Sequence, residues 1–90
     1  MKVVINKCFG GFSLSEEAYK FLGLEWGGHG YEYNDDRTDG RLVECVEKLG
    51  EKSFGDFARL KVVEIPDGTE WYIDDYDGIE TIREVHRTWG

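Results

Sequence analysis

The sequence predicts a single α+β domain in which a small antiparallel or mixed sheet is covered by two or three helices. Ninety residues are enough for one core, and thirteen aromatic side chains supply much of its apolar area. Runs of β-type residues and segments of helical periodicity follow one another with no repeat and no linker between them. The predicted order of elements is β-α-α-β-β-α.

The first third of the chain is predicted to run from a strand into a helix. Val3 to Lys7 is predicted as a buried strand, because it opens with the apolar, β-branched residues Val3-Val4-Ile5. Ser13 and Glu16 match a capping box at a helix start, and Gly23 is placed to end that helix. The side chains expected on its buried face are Ala18, Leu22 and either Tyr19 or Phe21.

A long loop is predicted between this helix and a second one. Residues 25–40 are rich in Gly, Asn and Asp, with one short extended piece expected at Tyr31–Tyr33. Asp39 is placed to cap a helix from Arg41 to Leu49, which Gly50 ends. Apolar side chains recur there at helical spacing: Leu42, Cys45, Val46 and Leu49.

The last third is predicted to form a hairpin and then a helix. Leu60–Ile65 and Glu70–Asp74 are β-like runs, and Pro66-Asp67-Gly68-Thr69 between them has turn chemistry. Tyr76-Asp77-Gly78 reads as a further turn, and residues 77–80 also resemble a capping box. The side chains after it that share one helical face are Ile79, Ile82, Val85, His86 and Trp89. Strand alternation is the alternative for this segment.

Charge and composition exclude several classes of function. A formal net charge of −8 argues against binding to a nucleic acid backbone. No apolar run is long enough for a bilayer, and no export signal begins the chain, so a cytoplasmic protein is expected. Cys8 and Cys45 lack metal-site spacing and are expected as free thiols, with Cys45 in the core. Because His29 and His86 are isolated, no metal and no cofactor is expected.

A run of acidic residues stands out in the C-terminal half. It contains seven carboxylates and no Lys or Arg, and such a run is typical of a solvated face. The functional interpretation is a docking surface for a basic protein. Its members are Glu64, Asp67, Glu70, Asp74, Asp75, Asp77 and Glu80.

Several segments spread over nearly the whole chain form a familiar pattern. They are KVVINKCFGGFSLSEEA at 2–18, DRTD at 36–39 followed by Leu42-Val43, LKVVEIPDG at 60–68, YDG at 76–78 and HRTW at 86–89. Together they resemble a widespread family of small uncharacterised proteins found in bacteriophages and in prophage-like regions of bacteria. The resemblance implies a phage origin, a bacterial host and an accessory role against a host defence or another host factor. It supplies no activity and no catalytic residue.

The turn after the first strand is the candidate binding site. A strand, the Gly10-Gly11 pair and a helix N-terminus give a layout that presents backbone N–H groups to an anion, although an ordinary turn has the same layout. At the other end of the chain, Arg87 can fork onto a phosphate and Trp89 can stack on a base. The predicted ligand-binding set, in one chain or across a homo-oligomer interface, is Lys7, Gly10, Gly11, Ser13, Arg37, His86, Arg87 and Trp89.

The sequence is compatible with three functions. The first is a phage-encoded binding protein that sequesters a small anionic ligand of nucleotide type. The second is an inhibitor that docks a basic host protein through the acidic residues 64–80. The third is a small hydrolase or transferase, which would need a pair such as Cys8 with His86 and for which no motif is present. The size of the chain favours binding over catalysis.

Overall fold

Two helices and two antiparallel pairs of strands make up the described part of the chain. The structure is a computed structural model, and it describes residues 1–28, 30, 33 and 36–85. The elements are β1 (Lys2–Asn6), α1 (Glu16–Leu22), α2 (Gly40–Leu49), a 3₁₀ turn (Gly50–Ser53), β2 (Leu60–Glu64), β3 (Trp71–Tyr76) and β4 (Ile79–Glu84). The predicted α+β class is confirmed. Within these ranges no helix has the length and apolarity needed to cross a membrane.

The β1–β2 pair lies between two apolar layers. The strands are antiparallel, with Lys2 opposite Glu64. Val4 points to one face and packs with the residues of both helices, whereas Val3 and Ile5 point to the other face and pack with the β3–β4 pair. Strand β1 is therefore covered on both faces, which explains its unbroken apolar run.

Helix α1 begins after Ser15 and not at Ser13. The Ser15 Oγ accepts a hydrogen bond from the Ala18 N–H at 3.1 Å, which is the N-cap geometry. The predicted capping box at Ser13 is wrong. The Ser13 carbonyl accepts the Gly55 N–H, next to an isolated antiparallel β-bridge between Leu14 and Phe54, so Ser13 precedes the helix start. Gly23 ends the helix at a φ of 73°, as predicted. The helix buries Ala18, Tyr19 and Leu22.

Helix α2 matches its prediction. Asp39 Oδ1 accepts the Arg41 N–H at 2.8 Å, and Gly50 follows the last helical residue with a positive φ. The predicted apolar stripe faces the core, with Leu42, Cys45 and Val46 buried and Leu49 partly buried. The short extended piece predicted at residues 31–33 lies largely outside the described residues.

The segment after Gly78 is a strand and not the predicted third helix. Strand β4 pairs with β3, and Tyr76 lies opposite Ile79 across a turn of two residues. Asp77 and Gly78 both have left-handed backbones, with φ of 52° and 89°, which is the geometry of a type I′ hairpin. The capping-box interpretation of residues 77–80 is therefore wrong, and strand alternation is right up to Glu84. His86 and Trp89 lie outside the described residues.

Strands β2 and β3 do not pair with each other, so the predicted hairpin between them is wrong. Strand β2 pairs with β1, and β3 pairs with β4. The Pro66–Thr69 segment does turn, since the Thr69 N–H donates to the Pro66 carbonyl at 3.3 Å. The Ile65 N–H, however, donates to the Met1 carbonyl at 2.8 Å and extends the β1–β2 ladder. The turn therefore carries the chain from one layer to the next.

We expect Gly78→Ala to lower the free energy of unfolding more than Gly68→Ala does. A Cβ at Gly78 would clash with the Phe9 carbonyl and lie 2.6 Å from the Gly11 nitrogen, whereas one at Gly68 meets open space. Both glycines have positive φ, so alanine at either costs roughly 1–2 kcal/mol in backbone strain. The clash at Gly78 adds about 1–3 kcal/mol. Urea unfolding measures both losses, and equal values would contradict the close approach at Gly78.

Candidate functional site

The carboxylate of Glu80 is buried between the β3–β4 hairpin and strand β1. The residue is 4% exposed. Its Oε1 accepts a hydrogen bond from Arg37 Nη1 at 2.7 Å, and its Oε2 accepts one from Arg37 Nη2 at 3.0 Å, so the ion pair is bidentate. Oε1 also accepts the backbone N–H of Asn6 at 2.8 Å. Three bonds thus link segments that lie far apart along the chain.

Arg37, predicted as part of an anion site, is enclosed by other groups. Besides its two bonds to Glu80, its Nη1 donates to the Val4 carbonyl at 3.4 Å. Its guanidinium lies 3.5 Å from the centre of the Phe12 ring, and its own carbonyl accepts the Val4 N–H at 3.0 Å. An incoming anion would have to displace Glu80, which would leave a buried carboxylate without its cation.

Asn6 joins the glycine turn to the tip of the hairpin. Its Nδ2 donates to the carbonyls of Cys8 and Gly78, at 2.6 and 2.7 Å. Its Oδ1 accepts the N–H groups of Cys8 and Arg59, at 3.3 and 2.9 Å. The side chain is fully buried and both ends of its amide are used. Sequence reasoning missed Asn6 and assigned Glu80 to an exposed acidic run, because neither residue carries a local motif for these distant contacts.

The Gly10-Gly11 turn is closely packed against two other segments. A Cβ on Gly10 would clash with the Phe57 side chain and carbonyl, and Gly78 presses on Gly11 from the hairpin. Gly11 has a φ of 86°, and its N–H donates to the Cys8 carbonyl at 3.3 Å. Close packing therefore explains Gly10, whereas the positive φ explains Gly11, since a Cβ there would meet open space.

The described residues show only part of the predicted anion-binding set. Lys7 is exposed, and its backbone N–H donates to the Arg59 carbonyl at 2.7 Å. Ser13 is buried beside a cavity. The three C-terminal members, His86, Arg87 and Trp89, lie outside the described residues. Whether they reach the Gly10-Gly11 turn stays a prediction.

A cavity of about 300 Å³ opens beside the start of helix α1. Trp26 forms one wall, and its ring meets the Tyr19 ring edge-on, with 5.1 Å between their centres. Two carboxylates, those of Glu16 and Asp56, belong to the lining, and both residues are exposed. Phe57 completes the set of larger side chains around the opening.

Ser13 belongs to the lining of this cavity, but its hydroxyl is packed against Gly55 and closed off from solvent. The residue is 1% exposed, and its Oγ makes no hydrogen bond in the described part of the chain. A Cβ on Gly55 would clash with that Oγ, so only glycine allows the close approach of the two segments. A buried polar atom without a partner is uncommon in folded proteins and calls for an explanation.

Three exposed aromatic side chains mark one end of the molecule, here termed the aromatic end. Phe9, Phe57 and Tyr76 are 70%, 67% and 76% exposed. Their segments meet, because Gly10 packs on Phe57 while Gly78, two residues after Tyr76, packs on the Phe9 carbonyl. The exposed carboxylates of the same segments are Asp56, Asp75 and Asp77.

The predicted acidic run does not form one uniform surface. Three of its carboxylates are paired with cations of the chain: Asp67 with the N-terminal ammonium, Asp74 with Arg83 and Glu80 with Arg37. The rest are divided between the two ends of the strands. Asp75 and Asp77 lie at the aromatic end, whereas Glu64 ends β2 and Glu70 precedes β3 at the other end.

Among the described residues no three potential metal ligands come together. Burial raises the pKa of the Cys45 thiol to about 11, so this thiol stays protonated as a core residue. Comparisons of the chain with protein families, with curated proteins and with solved structures find no match.

We expect Arg37→Ala to lower the free energy of unfolding by about 3 kcal/mol, because it leaves the Glu80 carboxylate buried without its cation. Arg83→Ala is the control, since it breaks an exposed ion pair with Asp74 and should cost about 1 kcal/mol or less. Arg37→Lys should restore only part of the loss, because an ammonium cannot form two parallel bonds. Denaturant unfolding measures all three, and a small loss for Arg37→Ala would contradict this account.

We expect Ser13→Ala to leave the free energy of unfolding unchanged or to raise it by up to about 1 kcal/mol, because the buried hydroxyl has no bond to lose. Ser53→Ala provides the contrast. Ser53 is equally buried, but its Oγ donates to the Gly50 carbonyl at 2.6 Å, so its loss should cost about 1 kcal/mol. A clear loss of stability in Ser13→Ala would show that its hydroxyl is bonded in solution.

Proposed function

We propose that this protein is a binding protein that docks a basic protein partner through the aromatic end. The observation that carries the proposal is the meeting of Phe9, Phe57 and Tyr76, each at least two-thirds exposed, at one end of an acidic molecule. Aromatic residues are enriched at protein interfaces, because their large rings bury much area with little loss of conformational entropy. Burial of these rings would supply most of the affinity.

The charge of the chain supports a basic partner. The net charge is −8, and carboxylates at the aromatic end, among them Asp77, remain exposed beside the rings. Two exposed cations lie nearby, since the Lys7 N–H donates to the Arg59 carbonyl at the end of the β1–β2 ladder. The local charge is therefore mixed rather than uniformly negative. The long-range field is still that of an anion, and such a field increases the rate at which a basic protein associates.

The resemblance of the sequence to phage proteins supports a partner in the bacterial host. A host defence protein or another host factor would then be inhibited because its basic surface is covered. Three expectations from the sequence stay predictions: capture of a small anionic nucleotide, a cytoplasmic location and assembly into a homo-oligomer. The geometry favours the protein-docking function over nucleotide capture, since Arg37 is engaged by Glu80.

Truncation of the aromatic end is the direct test. The immobilised protein is exposed to bacterial extract, the retained proteins are identified, and the purified candidate is titrated by calorimetry. We expect the double variant Phe9→Ala/Tyr76→Ala to weaken binding at least tenfold, a typical result of removing central aromatic contacts. Tyr72→Ala is the matched control, because Tyr72 is an exposed tyrosine at the other end of β3.

The electrostatic part of the proposal is tested by single amide substitutions. Asp77→Asn removes one charge at the tip of the hairpin and keeps a residue that tolerates positive φ. Asp77→Asn should lower the association rate constant and make that rate constant less dependent on salt. Both effects should exceed those of Glu70→Gln, which lies at the other end of the hairpin. Equal binding by Tyr72→Ala and by the aromatic double variant, or a partner without a basic surface, would overturn the proposal. So would saturable nucleotide binding with no protein partner.

A further inference from the structure

We propose that the edge of β2 that faces away from β1, here termed the β2 edge, binds an extended peptide segment as an additional antiparallel strand. The β2 edge consists of the outward backbone groups of Leu60, Val62 and Glu64. The inference deepens the proposed function and rests on it in one respect, namely that the segment would belong to the basic partner.

The outward backbone groups of β2 are identified by the bonds of the β1–β2 ladder. In an antiparallel pair, alternate residues bond to the neighbouring strand, and the residues between them direct their N–H and C=O groups the other way. The Ile65 N–H donates to Met1 at the end of this ladder, so the odd-numbered residues of β2 bond to β1. The even-numbered residues Leu60, Val62 and Glu64 therefore direct their backbone groups outward. An outward row of this kind is a template for pairing with another strand.

The two outer edges of the β1–β2 pair differ in how their backbone groups are satisfied. On β1, the outward N–H groups of Val4 and Asn6 donate to the Arg37 carbonyl and to the Glu80 carboxylate. Among the described residues, no side chain or backbone group bonds to the β2 edge in this way. An added strand would therefore replace water with backbone hydrogen bonds along the length of β2.

The side chains of β2 bring both apolar layers of the protein to this edge. Val62 packs against the core formed with the helices, and Val63 packs against the core shared with the β3–β4 pair. Both valines are only partly buried. Because successive side chains of a strand point to opposite faces, two consecutive apolar residues of an added strand would extend both layers. A helix offers neither backbone groups nor side chains on two faces, so an extended segment fits better.

The charge at the end of β2 defines the residue that precedes those two apolar positions. Glu64 is exposed, and the Lys2 ammonium on the opposite strand pairs with Glu47 at 2.9 Å. The Glu64 carboxylate forms no ion pair with any described residue and is available to a cation. In an antiparallel segment, the residue opposite Glu64 comes first and those opposite Val63 and Val62 follow. The favoured order is therefore one basic residue and then two apolar ones.

A second copy of this chain is the competing occupant, and charge disfavours it. Antiparallel pairing of two β2 edges would place Val62 opposite its own copy and the two Lys61 side chains diagonally on one face. A lysine on an edge strand is a common protection against such self-pairing. Each copy also has a net charge of −8, so two copies repel each other. A segment from a basic protein avoids both sources of repulsion.

The position of β2 links its outer edge to the aromatic end. Phe57, one of the exposed rings of that end, precedes the first residue of β2 by three positions. A basic protein that covers Phe57 would therefore have an extended segment within reach of the β2 edge. In such strand addition, the backbone bonds supply affinity and the alternating side chains supply specificity.

Hydrogen exchange of isotope-labelled protein tests the site, with a capped heptapeptide of sequence MKVVINK as the probe. The peptide copies residues 1–7, so it carries the required order of one basic and two apolar residues. In the protein alone, we expect the Val62 amide to exchange fast and the Val63 amide, which bonds to β1, to exchange slowly. Saturating peptide should slow exchange at Val62 about tenfold or more and leave Val63 unchanged.

Four outcomes of this experiment would overturn the proposal. Slow exchange at Val62 in dilute protein without peptide would show that the edge is already occupied. Protection of Val62 that rises with protein concentration would identify a second copy as the occupant. Loss of protection at Val63 would show that the peptide replaces β1. Unchanged exchange at Val62 with saturating peptide would show that no strand is added.

Two N-methylated peptides distinguish strand addition from general attraction to an acidic protein. In the proposed register, the N–H of the second valine of the peptide bonds to Val62, whereas the N–H of the first valine points to solvent. Methylation of the second valine should weaken binding about tenfold, because it removes a backbone donor. Methylation of the first should leave binding unchanged. Equal binding of the two methylated peptides would overturn the proposal.

A charge variant tests the placement of the basic residue. Glu64→Gln should weaken binding of the peptide about threefold, as expected for an exposed ion pair. Glu70→Gln removes the same charge outside β2 and is the matched control. Equal losses in the two variants would overturn the placement of the basic residue opposite Glu64.

A last arm assigns the segment to the partner and separates the two proposals. A protein partner identified through the aromatic end should slow exchange at Val62 as the peptide does, and a bound partner that leaves Val62 exchange fast would overturn the assignment. The peptide titration needs no protein partner, so its failure leaves the tests at Phe9 and Tyr76 unaffected. Neither of these residues belongs to β2, so failure of the docking proposal in turn leaves the titration valid.

Discussion

The buried carboxylate of Glu80 is the constraint on which the arrangement of the layers depends. In the described part of the chain no strand pairs with the edge of β1 that faces away from β2, and the backbone groups of this edge need other partners. Arg37 satisfies the N–H and the carbonyl of Val4, and Glu80 satisfies the N–H of Asn6. The Arg37–Glu80 ion pair thus joins the two residues that satisfy the free backbone groups on this edge of β1. Removal of either partner would leave the other charge buried, so the pair disfavours arrangements that separate Arg37 from Glu80.

The same interaction also positions the segments that carry the exposed aromatic side chains. Glu80 and Asn6 hold the tip of the hairpin against the Gly10-Gly11 turn, and apolar side chains next to these turns are exposed to solvent. These side chains are Phe9 and Tyr76, at one end of the molecule. Arg37, which looks like a ligand-binding cation in the sequence, is engaged inside the molecule. The exposed side chains at the aromatic end are the aromatic rings, the carboxylates of the same segments and the nearby cations Lys7 and Arg59.

Helix α2 was predictable because three independent local signals agree, namely the Asp39 cap, the apolar spacing and Gly50. The β3–β4 hairpin was not predictable in this way. Residues 77–80 satisfy the pattern of a capping box and also that of a type I′ turn, and a local pattern cannot choose between them. Glu80 adds to the ambiguity, since an acidic residue is expected on the outer face of a strand and here it lies on the inner one. The cap of helix α1 was predicted at Ser13 and lies at Ser15 for a similar reason, since a local pattern does not show which serine precedes the first helical turn.

By itself, the sequence determined the α+β class, the two helices with most of their ends, the buried first strand and the acidic character of the surface. These properties follow from backbone preferences, side-chain spacing and charge within a few residues. Only the tertiary structure decided which strands pair, that Arg37 meets Glu80 across 43 positions, and that Asn6 meets it across 74. It also decided that Ser13 lines a cavity. Contacts over such separations depend on which surfaces are buried together, and no local pattern encodes that choice.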